Sequence, residues 1–79
     1  MIIPTKLIKA EWPPDAGLKP GNKRFDELFE SIKQNGILEP LTINLKWVAI
    51  DGNHRLAAAR LLGIEQVDVQ IWTGTEMLL

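Results

Sequence analysis

The chain has 79 residues, a formal net charge of −1, one histidine and no cysteine. The length suits one domain with a modest core, and 46% hydrophobic with 24% charged residues is typical of a globular domain. The charge excludes a global attraction to nucleic acid or anionic membranes, and the lack of cysteine excludes disulfides and thiolate metal sites. No apolar run approaches the ~20 residues of a membrane span, and the N-terminus lacks a signal-peptide pattern, so we expect a cytoplasmic protein.

The first half of the chain predicts a strand, a long loop and a helix. Residues 6–10 favour a short strand, and residues 11–24 form a loop rich in proline and glycine. Apolar side chains recur at helical spacing from Phe25 to Ile32, and Gly36 follows as the expected left-handed cap. We therefore predict the first helix over this stretch.

The second half predicts a hairpin, a second helix and a last strand. Two β-prone runs flank a tight turn at 44–47. Alanine and leucine dominate residues 55–62, which predicts a largely buried helix, and residues 67–71 alternate as a strand with one polar face. The predicted order is β, loop, α, β, β, α, β, so the fold class is α+β and residues 1–79 form a single domain.

Asp51-Gly52-Asn53-His54-Arg55, called the DGNHR turn below, joins the hairpin to the second helix. Gly52 permits a sharp bend, and Asn53 is a suitable N-cap for a helix whose first N–H groups lack partners within the helix. Such a helix start binds phosphate and other anions, and His54 and Arg55 would add donors. The alternative is a plain turn in which His54 and Arg55 are solvated, and the local pattern alone leaves both interpretations open.

The basic pair also yields a prediction about stability. Removing Arg55 takes a cation away from the positive end of a helix, which relieves an unfavourable interaction of ~0.3–1 kcal/mol. If the pair binds phosphate, Arg55→Ala should abolish binding and leave the unliganded fold as stable as before or slightly more so. A structural role for Arg55 predicts the reverse.

Two carboxylates are candidates for chemistry beside a bound phosphate. Asp51 ends the predicted strand, and Glu39 lies just before Pro40 at the start of the hairpin. With a nucleotide and Mg²⁺, such carboxylates fit hydrolysis or phosphoryl transfer. The structural alternatives are that Asp51 fixes the turn and that Glu39 is solvated. We predict no metal site formed by the protein alone.

The run from Phe25 to Trp72 resembles the ParB/sulfiredoxin superfamily, and the resemblance extends over about residues 6–72. The stretches SIKQNGILEPLTI and RLAAARLLGIEQVDV carry it, with the DGNHR turn between them. That turn stands where ParB-type proteins carry a Gly-Glu-Arg-Arg-like motif, where sulfiredoxins carry Gly-Cys-His-Arg, and where free-serine kinases carry Asp-Gly-His-His-Arg. The resemblance implies a ParB/sulfiredoxin-like fold.

The resemblance also implies a nucleotide ligand whose phosphates the turn would hold. The residues implied in phosphate binding are Gly52, Asn53, His54 and Arg55. The segment KPGNKRF is similar to the family's Pro-Arg segment, which implies that Lys23 and Arg24 close over the ligand. The alternative for this pair is two solvated charges before the helix.

The chain departs from each relative at a residue that the relative's chemistry needs. Sulfiredoxin activity needs the cysteine that Asn53 replaces, so that activity is excluded. The serine kinases place an acidic residue soon after the loop proline, whereas Gly-Asn-Lys follows Pro20 here. ParB partition proteins continue into a helix-turn-helix region, which a chain complete at Leu79 would lack.

The sequence therefore predicts a small ParB-like domain that binds a nucleotide or another phosphate-bearing ligand, with turnover left open. The family's frequent association with DNA supports a second hypothesis, a DNA-binding or partner-binding regulatory protein without catalysis. The near-neutral charge opposes that hypothesis.

Overall fold

The computed structural model describes residues 1–10 and 23–79. Within these ranges no helix is long and apolar enough to cross a membrane. The strands are β1 (Ile2–Pro4), β2 (Lys9–Ala10), β3 (Leu41–Asn44), β4 (Val48–Asp51), β5 (Gln66–Trp72) and β6 (Met77–Leu78). The helices are α1 (Lys23–Asn35) and α2 (Asn53–Leu61), and a short 3-10 helix (Thr5–Leu7) joins β1 to β2. The predicted α+β class is confirmed.

The strands form one mixed sheet in the order β1-β5-β3-β4-β2, and β6 also pairs with β5. Strand β3 pairs parallel with β5 and antiparallel with β4, and β2 pairs parallel with β4. Strands β1 and β6 both run antiparallel to β5. Because β4 lies inside the sheet and leads directly into α2, the start of α2 is fixed at one end of the sheet.

The first half of the chain differs from the sequence prediction in three ways. The strand predicted at 6–10 is reduced to Lys9–Ala10, because residues 5–7 turn into the 3-10 helix after Pro4, whose φ is −62°. Strand β1 was not predicted; it precedes that stretch, and its backbone is held by pairing with β5. The predicted loop 11–24 lies mostly outside the described residues, but its last two residues belong to the first turn of α1.

Helix α2 is the middle layer between the sheet and α1. Ala59 and Leu56 belong to the core cluster that α2 shares with the strands, whereas the adjacent Ala58 packs in a second cluster with Phe25 and Ile32 of α1. The short alanine side chains allow close approach on both sides of α2. The predicted burial of α2 is therefore confirmed for most of its length, although Leu61 is exposed.

The predicted hairpin joins β3 to β4 through a turn in which Trp47 takes a left-handed conformation, with φ 64°. The side-chain oxygen of Asn44 accepts hydrogen bonds from the backbone N–H groups of Lys46 and Val48, at 2.9 and 3.0 Å. The backbone N–H of Trp47 donates to the Asn44 carbonyl at 3.0 Å. The Asn44 side chain thus takes over hydrogen bonds that a tight turn leaves unmade.

Candidate functional site

The DGNHR turn begins with a glycine in the left-handed region. Gly52 has φ 96° and ψ 23° and is the N-cap of α2, and its carbonyl accepts the first helical hydrogen bond from Leu56 at 2.8 Å. The prediction that Asn53 is the N-cap is therefore wrong, since Asn53 is the first residue of the helix itself. A left-handed N-cap turns the chain sharply from β4 into α2, which a residue with a Cβ does at a cost.

Asn53 has a structural contact in place of the predicted capping bond. Its side chain is buried, and Nδ2 donates to the carbonyl of Ala49 at 2.9 Å. That bond connects the start of α2 to β4 and fixes the angle between them. The side-chain amide of Asn53 therefore stabilises the DGNHR turn from the interior of the protein.

Arg55 ties the start of α2 to the segment that precedes β3. Its Nη1 donates to the carbonyl of Glu39 at 2.8 Å and more weakly to the carbonyl of Pro40 at 3.3 Å. Its Nη2 lies 3.8 Å from the Asp51 carboxylate, and its side chain is 20% exposed. The guanidinium is thus held at the protein surface in a defined position.

The guanidinium of Arg55 borders the space that a side chain at Gly52 would need. A Cβ added at Gly52 would lie 2.5 Å from Cδ2 of Leu41 and 3.1 Å from Nη2 of Arg55. Leu41 is fully buried, so it has little room to move. Glycine is needed here both for its backbone conformation and for the space that its missing side chain leaves.

The predicted catalytic carboxylates occupy different places around Arg55. The side chain of Asp51 is 76% exposed and lies within ion-pair distance of the guanidinium. Glu39 is exposed, and the group that it offers to Arg55 is its backbone carbonyl. In the described part of the chain no three histidine, cysteine, aspartate or glutamate side chains come together as a metal site. A role for either carboxylate in catalysis stays a prediction.

The other predicted residues lie on the two helices. His54 is half-buried in the first turn of α2, next to Arg55, and Lys23 and Arg24 are exposed in the first turn of α1. A shallow groove of about 240 Å³ borders Arg55, and α1 lines it from Leu28 onward. The structure therefore brings the later part of α1, rather than its first turn, alongside Arg55.

Sequence reasoning missed the groove beside Arg55 and the carbonyls that hold its guanidinium. Ser31 and Leu38 line this groove together with Glu39. None of these residues belongs to a sequence motif. The groove is formed by the packing of α1 against α2, which leaves no local pattern in the sequence. The repeated apolar spacing of α1 predicted that packing face but gave no signal for what surrounds Arg55.

The chain belongs to the ParB N-terminal domain family, which matches residues 2–77. Its fold is similar to one crystal form of a Pnob8-like ParB-N domain, with a TM-score of 0.73 and 23% identity over 92% of this chain and 29% of that chain. A second pNOB8-like ParB N-domain structure gives 0.71 and 25% identity over 92% of this chain and 26% of that one. The chain thus spans less than a third of either relative. No curated protein matches it.

Proposed function

We propose that this domain binds the phosphate groups of a nucleotide, or of a similar phosphate-bearing ligand, at the start of α2. The observation that carries the proposal is that the guanidinium of Arg55 borders the side-chain space of Gly52, the N-cap of α2, and so lies beside a helix N-terminus. Helix N-termini attract anions through their N–H groups and dipole, and a guanidinium matches the geometry of phosphate oxygens. His54 adds an imidazole in the same turn.

The charge balance around Arg55 supports an anionic ligand. The carbonyls of Glu39 and Pro40 accept its Nη1 hydrogen bonds but carry no net charge, so they position the cation without neutralising it. Asp51 is mostly exposed, and an exposed ion pair at 3.8 Å is weak. A phosphate oxygen that approaches Nη2 therefore competes with a weak partner.

Asp51 is the residue that would accompany Mg²⁺ in this proposal. Mg²⁺ in nucleotide sites is bound through one or two carboxylates and the phosphates themselves, so one exposed carboxylate beside the turn fits that donor set. The metal would neutralise the phosphates next to Asp51. Hydrolysis or phosphoryl transfer with Asp51 or Glu39 as the base belongs to the same proposal.

A thermal-shift screen with ATP, CTP, GTP and ADP, with and without Mg²⁺, tests phosphate binding. A bound ligand raises the melting temperature by mass action, and the matched nucleosides without phosphates should leave it unchanged. If no nucleotide raises the melting temperature at millimolar concentration, the proposal is wrong. Arg24→Ala tests the role of the first turn of α1, because unchanged affinity in that variant removes Arg24 from the ligand contacts.

Two variants separate binding from turnover. Asp51→Asn removes a negative charge beside the bound phosphates, so we expect equal or higher nucleotide affinity without Mg²⁺ and a smaller gain in affinity when Mg²⁺ is added. If Asp51 is the base, the same variant should no longer release inorganic phosphate from the nucleotide. Glu39→Gln keeps the backbone carbonyl that holds Arg55 and so isolates the contribution of the Glu39 carboxylate.

A second candidate function is binding of DNA or a partner protein without catalysis. It is favoured by membership of the ParB N-terminal domain family and opposed by the net charge of −1. A DNA-binding assay over a salt series tests it, because contacts to backbone phosphates give an affinity that falls steeply with salt. An affinity for DNA that does not change with salt concentration would exclude contacts to the backbone phosphates.

A further inference from the structure

A second cleft lies at the opposite end of α2 from Arg55. It is lined by residues 4–6, by Arg60 and by residues 63–66, and its volume is about 640 Å³. Ligand pockets in proteins typically measure ~300–1,000 Å³. The cleft therefore has the size of a small-molecule site, and it shares no lining residue with the DGNHR turn.

The two sides of this cleft are joined by backbone hydrogen bonds. Thr5 donates its backbone N–H to the carbonyl of Glu65 at 2.8 Å, and Pro4 pairs with Gln66 where β1 meets β5. The guanidinium of Arg60 donates to the carbonyl of Ile8, which anchors the side chain at the cleft. The cleft is thus formed before any ligand arrives.

Three carbonyls at the end of α2 accept hydrogen bonds from the backbone that follows the helix. The backbone N–H groups of Leu62, Gly63 and Ile64 already donate to carbonyls in the last turn of the helix, at 2.9, 3.2 and 2.9 Å. Arg60 and Lys6 together outnumber the one carboxylate of the lining, which belongs to Glu65. The cleft is therefore locally basic in a chain whose net charge is −1.

The wall of the cleft also contains a buried hydroxyl. Oγ1 of Thr5 is shielded from solvent, and no described residue lies within hydrogen-bonding distance of it. A buried polar group without a partner is unfavourable. Thr5 is part of the wall, so a rotation of its side chain toward the cleft would let a polar group of the ligand supply the partner.

We propose that this cleft binds a small organic anion, whose charged group lies between Lys6 and Arg60 and whose apolar part lies against Pro4 and Ile64. Pockets of this kind combine an apolar lining with a few polar groups that orient the ligand. Carboxylates and phosphate esters share the required chemistry. The proposal does not depend on nucleotide binding at the other end of α2.

Titration of the nitrogen-15-labelled protein with benzoate, phenyl phosphate and hexanoate tests the proposal, with neutral benzamide as the matched control. At least one anion should shift the backbone amide signals of Thr5, Lys6 and residues 63–66 saturably, and benzamide should bind more weakly. No saturable shift at these amides with any of the anions would overturn the proposal. Equal affinity for benzoate and benzamide would overturn the role of the cations.

Two variants test the residues named. Lys6→Gln should lower the affinity for the anion about threefold or more, as expected for one solvent-exposed charge contact, whereas Lys33→Gln on α1 should leave it unchanged. Thr5→Val should weaken binding without lowering the melting temperature of the unliganded protein, because it removes a hydroxyl that lacks a partner. A clearly lower melting temperature with normal binding would show that the hydroxyl serves the fold and not the ligand.

Discussion

The guanidinium of Arg55 donates a hydrogen bond to the backbone carbonyl of Glu39, with 2.8 Å between Nη1 and the oxygen. The two residues belong to different elements, since Arg55 lies in the first turn of α2 and Glu39 precedes β3. The bond therefore joins the candidate phosphate-binding turn to the start of the central strands. Arg55 therefore supports the fold in addition to its proposed contact with a phosphate.

Arg55→Ala should lower the stability of the unliganded protein. Loss of hydrogen bonds from a charged group to the carbonyls of Glu39 and Pro40 costs about 1–3 kcal/mol, which exceeds the ~0.3–1 kcal/mol relieved at the helix terminus. The structure thus favours the outcome that the sequence assigned to a structural role, together with loss of phosphate binding. Urea unfolding measures the change, and Arg24→Ala, at an exposed position in the first turn of α1, is the control. An Arg55→Ala protein as stable as the wild type would show that these hydrogen bonds contribute little to the fold.

Gly52→Ala should destabilise the protein more than Gly36→Ala does. Both glycines have positive φ, 96° and 74°, so both variants carry the conformational penalty. Only at Gly52 would the new Cβ meet other atoms, 2.5 Å from Cδ2 of buried Leu41, whereas nothing lies within 4 Å at Gly36.

The difference between the two glycine variants isolates the steric effect, which we expect to be about 1–3 kcal/mol as for other overpacked sites. Chemical denaturation of both variants measures it. Equal losses of stability would show that Gly52 is needed for its backbone conformation alone.

Asn53→Ala should lower the free energy of unfolding by about 1–3 kcal/mol, because the buried carbonyl of Ala49 loses a hydrogen-bond donor. Asn35→Ala, at the exposed end of α1, is the matched control and should change stability little. Thermal and urea melts of both variants test this. If the two variants melt alike, the bond between Asn53 and Ala49 contributes little to the turn.

The sequence predicted the elements whose signals are local. The apolar spacing from Phe25 to Ile32 predicted α1, and Gly36 ends that helix with φ 74° as expected. The hairpin was also predicted from its two β-prone runs. Strands β1 and β6 were missed because they have only three and two residues, too few to show an alternating pattern.

The sequence indicated the position of the candidate site in the fold, but the side-chain contacts within the site could not be predicted from it. The order of glycine, polar and basic residues in the DGNHR turn indicated a strand-to-helix junction, and that is where the structure has it. The contacts of Asn53 and Arg55 could not be predicted, because their partners depend on the angle between β4 and α2 and on residues 15 and 16 positions away. The local pattern predicted Asn53 as the N-cap of the helix, whereas in the folded protein its side-chain amide is buried and donates to the carbonyl of Ala49.

Trp47 gives a prediction about strain in the hairpin. Its φ of 64° is costly for a residue with a Cβ, by about 1–2 kcal/mol. Trp47→Gly and Trp47→Ala both remove the indole, so the glycine variant should be the more stable of the two by about 1 kcal/mol. Urea melts of the pair measure the difference. An alanine variant at least as stable as the glycine variant would show that the turn has relaxed to another conformation.

Phosphate binding at the DGNHR turn is tested by following the backbone amide signals of residues 52–55 in the nitrogen-15-labelled protein. The protein is titrated with ATP, CTP and GTP in the presence of Mg²⁺ and, in parallel, with the corresponding nucleosides. We predict that at least one triphosphate shifts these four signals saturably at millimolar concentration or below, while its nucleoside does not. No saturable shift with any triphosphate, or the same shift with the nucleoside, would show that the turn does not bind phosphate.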